Sequence, residues 1–326
     1  MRRRQLLATI ATTLASVPAL AQSPVRRIGV LMGYSENDPG VADSITALTQ
    51  GLNARGWRLG VNIEVVWRWA QGTPALFERH AAELVALEPD ALVAQGTPSV
   101  KALGPKAGTI PIVFTIVTDP VGQGMVGSLA HPGGNVTGFT DFDPAMAGKW
   151  MELLGQVKPK VSRAAVLFNP ETAPFADLMV RAIEHAAPAF GITPVATPCR
   201  DEAAIEAAIG AASGAIIDGA VVLPDLFNLV HRRAIVKAAA RHRVPVIYFN
   251  RTFTAAGGLM AYGVDYADQF KRAAGYLDRL LKGASVADLP VQQPAEFDLS
   301  INLKTAKALG IELPQTMISV ADEVIE

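Results

Sequence analysis

The chain has 326 residues, of which 50% are hydrophobic and 18% are charged, and its formal net charge at pH 7 is −1. So balanced a charge excludes a strongly basic surface for nucleic acid or an anionic membrane, and neither partner is expected. Cys199 is the only cysteine, which excludes a disulfide framework within the chain, and the length is enough for two ordinary domains.

The first residues predict export. The segment MRRRQLLATIATTLASVPALAQS begins with three arginines after the initiator, continues with an apolar stretch that has no acidic residue, and reaches Ala19-Leu20-Ala21. These features are typical of a secretory signal sequence at 1–21, so we expect cleavage after Ala21 and a mature protein in the periplasm. The apolar stretch is shorter than the roughly 20 residues of a membrane-spanning helix. The RRQLL segment also loosely resembles a twin-arginine signal, which leaves two export routes open.

Apolar strands and amphipathic helices alternate through the first half of the remaining chain. Val41, Ile45, Leu48 and Leu52 line one face of the first predicted helix. Thr73-Pro74 opens the second helix, because proline is favoured at the first helical position. Such alternation predicts a parallel sheet covered on both faces. Strands are predicted at 26–33, 61–69, 90–97 and 110–117.

Gly122, Gly124 and Gly127 follow the fourth strand with the G-x-G-x-x-G spacing of a dinucleotide-binding turn. That turn belongs after the first strand and leads into a full helix, whereas here the segment 131–134, His-Pro-Gly-Gly, interrupts the chain within a few residues. Nicotinamide cofactors also belong to the cytosol and not to an exported protein. We therefore interpret these glycines as allowing tight turns beside a hinge, and we expect no cofactor.

The same alternation restarts after Pro159, and a strong helix follows it. Phe270, Ala274, Leu277 and Leu281 form one stripe of this helix at 266–282. Strands are predicted at 163–169, 192–198, 219–224 and 244–250, and helices at 172–190, 201–212, 227–242 and 303–309. Neither tail segment makes a third domain, so each is expected to pack on one of the two lobes.

These patterns predict an α/β fold of two doubly wound parallel-sheet lobes. Because the tail segments return to the lobes, the chain would cross between them three times, at a three-crossover hinge. We predict a first lobe of residues 26–140 plus 263–290 and a second lobe of residues 141–262 plus 291–326.

Four segments carry a more specific resemblance: VFTIVTDPVGQGMVGSLAHPGGNVTGFT, AGKWMELLGQVKPKVSRAAVLFNP, GGLMAYGVDYADQFKRAAGYLDRLLKGA and INLKTAKALGIELP. They resemble the ABC-transporter substrate-binding protein family, which has the type I periplasmic-binding fold and includes tryptophan- and tyrosine-binding members. The resemblance runs from about Arg26 to the end of the chain. It implies that a monomer captures a small amino-acid-like ligand, aromatic amino acids included, and delivers it to an ABC permease in the inner membrane.

Polar and aromatic side chains follow the predicted strands, and ligands bind beyond the carboxyl ends of the strands in a doubly wound sheet. The first lobe offers Tyr34, Ser35, Gly96, Thr97, Ser99, Thr118 and Asp119. The second lobe offers Asn169, Asp225 and Asn250, and the crossing strands add Phe139, Thr140, Tyr262 and Asp265. We predict a ligand-binding site made from these residues.

The chemistry of these side chains suits an amino acid. The free amides at the start of the predicted helix at 98–104 suit a carboxylate, either Asp119 or Asp225 suits an ammonium group, and the rings of Tyr34 and Phe139 suit an apolar or aromatic portion. Ordinary structural roles stay open for the same residues. Thr97, Ser99 and Asp265 also suit helix caps, and Asp119 before Pro120 also suits a turn.

Other functions have less support. The chain has no G-x-S-x-G elbow, no Walker lysine loop and no H-E-x-x-H motif, which argues against a secreted hydrolase or racemase. Asp141 and Asp143 are paired acids without a third ligand nearby, so no metal site is expected. A sugar or nucleoside would use the same loops by stacking on Tyr34 or Phe139. A ligand sensor for a signalling receptor would share every feature of an importer component, and a neighbouring permease gene would distinguish the two.

Overall fold

The computed structural model of the chain describes residues 25–211 and 217–326. The predicted signal sequence at 1–21 lies outside the described residues. Strands and helices alternate as the sequence predicts, and they form two sheets, each with helices on its faces. Among the described residues, no helix combines the length and the apolar character needed to span a bilayer.

The first sheet has five parallel strands in the order β2-β1-β3-β4-β5. Its strands are β1 (Arg26–Met32), β2 (Ile63–Trp69), β3 (Ala91–Gln95), β4 (Ile112–Val117) and β5 (Val136–Thr140). The connecting helices are α1 (Pro39–Asn53), α2 (Pro74–Ala86) and α3 (Gly96–Leu103). Gly138 in β5 has a φ of 155°, and a Cβ there would lie 2.1 Å from the carbonyl oxygen of Phe114, so only glycine fits this position.

The second sheet has seven strands in the order β12-β11-β10-β9-β8-β6-β7. Its strands are β6 (Arg163–Phe168), β7 (Thr193–Pro198), β8 (Gly219–Val222), β9 (Val246–Tyr248), β10 (Met260–Gly263), β11 (Asp298–Asn302) and β12 (Glu323–Ile325). The helices around it are α4 (Ala145–Gly155), α5 (Ala176–Ala186), α6 (Glu202–Gly210), α7 (Leu226–Val230), α8 (Arg232–His242), α9 (Thr252–Ala255), α11 (Leu303–Leu309) and α12 (Gln315–Ser319). A long helix, α10 (Tyr266–Leu281), lies against α1 of the first lobe.

The chain passes between the lobes three times. It leaves the first sheet after β5, returns after β10 to place α10 on the first lobe, and re-enters the second sheet at β11. Because it re-enters from the first lobe, β11 runs antiparallel to β10, so the second sheet is not wholly parallel. Trp150 of α4 is fully buried and donates a hydrogen bond of 2.8 Å to the carbonyl oxygen of Tyr262, which ties this helix to the second crossing.

Two local predictions differ in detail from the structure. The helix predicted at 227–242 is two helices, α7 and α8, which meet at His231, where φ is −90° and ψ is 14°. The helix predicted at 172–190 begins only at Ala176. It ends at Ala186 and continues as a 3-10 turn over Ala187–Phe190, the early end that Pro188 predicts because proline cannot continue an α-helix.

Candidate ligand-binding site

A cavity of about 30 Å³ lies between the two lobes, at the carboxyl ends of strands from both sheets. Its walls from the first lobe are Tyr34, Gln95, Gly96, Thr97, Pro98, Ile116 and Thr118. The second lobe contributes Thr172, Phe175, Pro224, Asp225, Leu226, Leu229 and Phe249, and the crossing segments contribute Asp141 and Tyr266. The volume has room for about two water molecules, since each needs roughly 10–15 Å³. An amino acid therefore enters only if the lobes or the lining side chains move apart.

Asp225 is the acidic group of the second-lobe wall. It follows β8 and caps α7, and its carboxylate accepts hydrogen bonds from the amide of Asn169 at 2.8 Å, the hydroxyl of Thr172 at 2.5 Å and the amide of Phe227 at 3.1 Å. Only 6% of Asp225 is exposed. Burial raises the pKa of this carboxyl to about 6, because loss of water disfavours its charged form more than these hydrogen bonds favour it.

Asp141 is a second buried acid, at the first crossing. It directly follows β5 and accepts a hydrogen bond of 2.6 Å from the hydroxyl of Thr118, which follows the neighbouring strand β4. Burial raises its pKa to about 6 as well. Among the described residues that line the cavity, none is a lysine, an arginine or a histidine. A cationic group on a ligand would supply the charge that these two carboxylates lack.

The polar atom that most directly indicates a ligand is the hydroxyl of Tyr34. Tyr34 is 4% exposed and lines the cavity, and its hydroxyl has no hydrogen-bond partner. Buried polar groups in proteins nearly always have partners, so an unpaired one in a cavity points to a partner that arrives with the ligand. Burial, with Asp38 and Asp141 nearby, raises the pKa of Tyr34, and burial raises the pKa of Tyr266 in the same wall, so both hydroxyls stay protonated.

The start of α3 offers backbone donors to the same cavity. No side chain caps this helix, because Gln95 at its N-cap position accepts a hydrogen bond of 2.8 Å from the amide of Gly33 instead. Ser99 donates to the carbonyl oxygen of Gln95 at 2.7 Å, and Gly96 and Thr97 at the start of the helix line the cavity. Uncapped amides at a helix N-terminus carry partial positive charge and suit a carboxylate.

One wall of the cavity holds a strained backbone. Ile116 has a φ of 59°, in the left-handed region that a β-branched residue rarely adopts, at the point where the register between β4 and β5 shifts. Gln269 of α10 holds it there. Its side-chain oxygen accepts from the amide of Ile116 at 2.8 Å, and its side-chain nitrogen donates to the carbonyl oxygen of Thr140 at 3.0 Å. Such strain persists only where surrounding contacts enforce it, and it occurs preferentially at functional sites.

The structure brings some of the sequence-predicted residues together at this cavity. Those that line it are Tyr34, Gly96, Thr97, Thr118 and Asp225. Asn169 lies directly behind Asp225, to which its amide donates, and Ser99 is buried behind the start of α3.

The other predicted residues lie away from the cavity. Ser35 is exposed, and Asp119 accepts from the amide of Gly122 at 2.9 Å in a surface turn. The remaining predicted residues make structural contacts elsewhere. Phe139 contacts the ring of Tyr276 and the guanidinium group of Arg272, and Thr140 contacts Gln292. Asn250 accepts from the amide of Thr252, Tyr262 contacts the ring of Phe297, and Asp265 accepts from the amide of Ala267.

Sequence reasoning missed much of the wall. The missed residues are Gln95, Ile116, Asp141, Thr172, Phe175, Leu226, Leu229, Phe249 and Tyr266. Asp141 had a usable signal, since it directly follows a crossing strand. The apolar members had none, because apolar residues near strand ends are indistinguishable from core residues in sequence.

Gly122, Gly124 and Gly127 lie in a surface loop, in which Gly124 has a φ of 68° that favours glycine. Their loop, at 118–135, contains no helix. A Cβ at Gly122 would lie 2.1 Å from a carboxylate oxygen of Asp119, so the turn that Asp119 closes requires glycine.

Comparison with known proteins identifies relatives of the chain. Residues 32–325 match the model of the family described as ABC transporter substrate binding protein. A tyrosine-binding protein of Clostridioides difficile strain R20291 is 29% identical over 263 residues, which are 81% of this chain and 75% of its own. The structure of an ABC domain from Streptococcus pneumoniae in complex with L-Trp is 25% identical, covers 93% of this chain and 100% of its own, and superposes with a TM-score of 0.85. These relatives confirm the predicted α/β fold of two parallel-sheet lobes.

A third relative bears on the arrangement of the lobes. The ligand-free, open structure of a substrate-binding protein with adhesive properties from Clostridium difficile is 26% identical, covers 93% of this chain and 99% of its own, and superposes with a TM-score of 0.70. The two solved relatives are nearly equal in identity to this chain, yet the chain superposes better on the ligand-bound one. The small cavity shows that the two lobes lie close together at the site in this structure.

Proposed function

The chain belongs to the ABC transporter substrate-binding protein family, and we propose that it captures an amino acid with an aromatic side chain between its two lobes. One observation carries the proposal: the interlobe cavity contains two buried carboxylates and the unpaired hydroxyl of Tyr34, and no cationic side chain lines it. A ligand with an ammonium group and further hydrogen-bonding groups satisfies these atoms on binding.

Each part of such a ligand has a counterpart in the wall. Asp225 takes the ammonium group, and the uncapped amides at the start of α3 take the carboxylate. Phe175 and Phe249 provide apolar ring surface for the side chain. Asp141 and Tyr34 take an N–H or O–H group at its far end, which an indole or a phenol carries. The tyrosine-binding relative and the L-Trp complex support this choice of ligand.

The proposed role is capture and delivery. Substrate-binding proteins of ABC transporters act outside the cytoplasmic membrane, and the arginine-rich start of this chain supports export to the periplasm. There a monomer would close over its ligand and present the closed form to an ABC permease in the inner membrane, without chemical change of the ligand.

A thermal-shift screen tests the ligand. L-Tyrosine or L-tryptophan at about 100 times its dissociation constant adds roughly 2.7 kcal/mol to the free energy of unfolding. Each kcal/mol raises the melting temperature of a domain of 150–250 residues by about 2–4 °C, so a shift of several degrees is expected. If sugars or nucleosides shift the melting temperature and no amino acid does, the ligand proposal is wrong.

A matched pair of variants tests the site. Asp225→Asn should abolish the shift, because the ammonium group loses its counter-charge. Asp201→Asn is the control, since Asp201 caps α6 in the same lobe, accepts from the amide of Ala204 at 2.7 Å and lies outside the cavity. Asparagine caps helices about as well as aspartate, so both variants should fold. Equal loss of the shift in both would contradict the assignment of Asp225.

A further inference from the structure

An ion pair outside the ligand cavity connects the two lobes. Arg232, the first residue of α8 in the second lobe, donates a hydrogen bond of 2.7 Å to a carboxylate oxygen of Asp38, the N-cap residue of α1 in the first lobe. Their side chains are 9% and 16% exposed, whereas the lobe-internal pair between Arg241 and Glu206 is 54% and 40% exposed. The two charged side chains of this pair are thus largely shielded from water, and the pair spans the cleft between the lobes.

Both partners are fixed by their own lobes. The second carboxylate oxygen of Asp38 accepts from the amide of Gly40 at 3.1 Å, which caps α1. The guanidinium group of Arg232 also donates to the carbonyl oxygen of Leu229 at 3.0 Å, and Leu229 lines the ligand cavity. Since neither side chain can follow the other lobe without leaving these bonds, the pair forms only when the lobes are closed.

The surfaces around the pair have opposite charges. A second interlobe cavity of about 890 Å³ lies beside it, with Asp43 of α1 on the first-lobe side. Arg233, Lys237 and Arg251 line the second-lobe side. The acidic Glu323 also lies on that side, where it accepts a hydrogen bond of 2.7 Å from the hydroxyl of Ser300. The first-lobe wall is therefore acidic and the second-lobe wall predominantly basic, which attracts the lobes toward each other.

We propose that Asp38 and Arg232 form an interlobe latch that sets ligand affinity by stabilising the closed form, without touching the ligand. The apparent dissociation constant of a protein that binds in one conformation rises as the population of that conformation falls. Removing the latch should therefore weaken binding and speed ligand release while the cavity itself stays intact. The proposal rests on the proposed function for its ligand, and on the interlobe contact alone for the latch.

The variants are chosen to separate the latch from folding. Asp38→Asn removes the charge and keeps the helix cap. Arg232→Lys keeps a charge but loses the guanidinium group that donates to both Asp38 and the carbonyl oxygen of Leu229. Arg241→Met is the matched control, because Arg241 lies on the same helix and pairs at 2.6 Å with Glu206 of its own lobe. Affinity for L-tyrosine and L-tryptophan is measured by calorimetry and release by stopped flow, at low and at high salt.

We expect Asp38→Asn to lower the affinity about tenfold or more, which is about 1.4 kcal/mol, mainly through faster release. Arg232→Lys should lower it less, and Arg241→Met should leave it unchanged. High salt should weaken ligand binding to the native protein, because it screens the pair of Asp38 and Arg232. The effect of salt on Asp38→Asn should be smaller, because that variant lacks the pair and the zwitterionic ligand itself is little affected by screening. Equal affinities and equal salt dependence of the native protein and Asp38→Asn would overturn the latch.

A ligand-free measurement distinguishes failure of the latch from failure of the proposed function. Spin labels on cysteines introduced at the exposed positions Gln50 and Ala207, one in each lobe, report the interlobe distance, while native Cys199 is fully buried. Asp38→Asn should move the distance distribution toward longer values, and Arg241→Met should not. If the native protein binds no amino acid, yet Asp38→Asn has a longer interlobe distance than the native protein, the ligand proposal fails and the latch stands. If the native protein binds no amino acid and the distance distributions of the native protein and Asp38→Asn are identical, both the ligand proposal and the latch are wrong.

Discussion

Asp141 and Asp225 differ from the other acids of the site region in how completely they are buried. Their exposed fractions are 4% and 6%, and burial raises the pKa of each to about 6 from 3.8. A carboxyl with a higher pKa in the folded protein than in the unfolded chain binds its proton more tightly when folded. In the ligand-free protein these two groups therefore contribute a loss of stability as the pH rises from about 4 to about 6, and the loss persists above that range.

Ligand binding should depend on pH in the opposite sense. An ammonium group needs an ionised Asp225, and at pH 5 only about one tenth of a carboxyl with a pKa near 6 is ionised. Affinity for L-tryptophan should thus be about tenfold lower at pH 5 than at pH 7.5, measured by calorimetry with the proton uptake at each pH. Asp225→Asn should remove most of this dependence along with most of the affinity. Affinity that stays constant between these pH values would contradict a salt bridge from the ligand to Asp225.

Residues that directly follow a strand were the predictable part of the site. Thr118 and Asp225 come after apolar runs, so the carboxyl-end rule selects them from sequence alone. The same rule also selected Ser35 and Asp119, which the structure places in exposed or surface-turn positions. A strand end identifies a loop, and whether a given side chain of that loop turns inward depends on contacts with the other lobe, which sequence spacing does not contain.

At the scale of elements, the strands with continuous apolar runs were predictable and the short ones were not. β1, β4 and β6 are buried along nearly their whole length, and each contains a mostly apolar run: IGVLM in β1, IVFTIV in β4 and AAVLF in β6. β11 and β12 gave no comparable signal, since they are five and three residues long, contain polar side chains and lie toward the edge of the second sheet. Their pairing depends on the chain returning from the first lobe, a tertiary event.

The contact of α10 with the strand ends gives an element-scale prediction. Gln269→Leu removes both hydrogen bonds of that side chain and leaves the amide of Ile116 and the carbonyl of Thr140 buried without partners. Each unpaired group costs about 1–3 kcal/mol, so the free energy of unfolding, measured with urea, should fall by roughly 2–6 kcal/mol.

A control on the same helix separates this effect from a general weakening of α10. Lys271→Ala changes an exposed residue of α10 and should alter the free energy of unfolding by less than about 0.5 kcal/mol. Gln269→Leu should in addition weaken ligand binding, because relaxed strain at Ile116 moves the cavity wall. If Gln269→Leu has the same free energy of unfolding as the native protein, the prediction is wrong, and the amide of Ile116 and the carbonyl of Thr140 find other partners.

At the scale of the whole molecule, the fold class follows from alternation, while the closed state does not. Two parallel sheets with three crossings are the expected result of repeated strand–helix units and two returning tail segments. Whether the lobes stand apart or together depends on contacts of a few kcal/mol across the cleft, such as that of Asp38 with Arg232. The periodicity of the sequence predicts strands and helices, but it does not predict an equilibrium between open and closed lobes that depends on a few kcal/mol.

Ligand binding should bring the two lobes together. The cavity of about 30 Å³ is too small for an aromatic amino acid, since an engineered protein cavity that binds benzene measures about 150 Å³. Ligand entry therefore requires the lobes or the lining side chains to move apart, and we expect lobe movement at the three crossings, around 139–140, 262–263 and 290. Small-angle scattering should show a larger radius of gyration without ligand than with saturating L-tryptophan. A protein shown by calorimetry to bind L-tryptophan, yet with the same scattering curve in both states, would rule out closure by lobe movement.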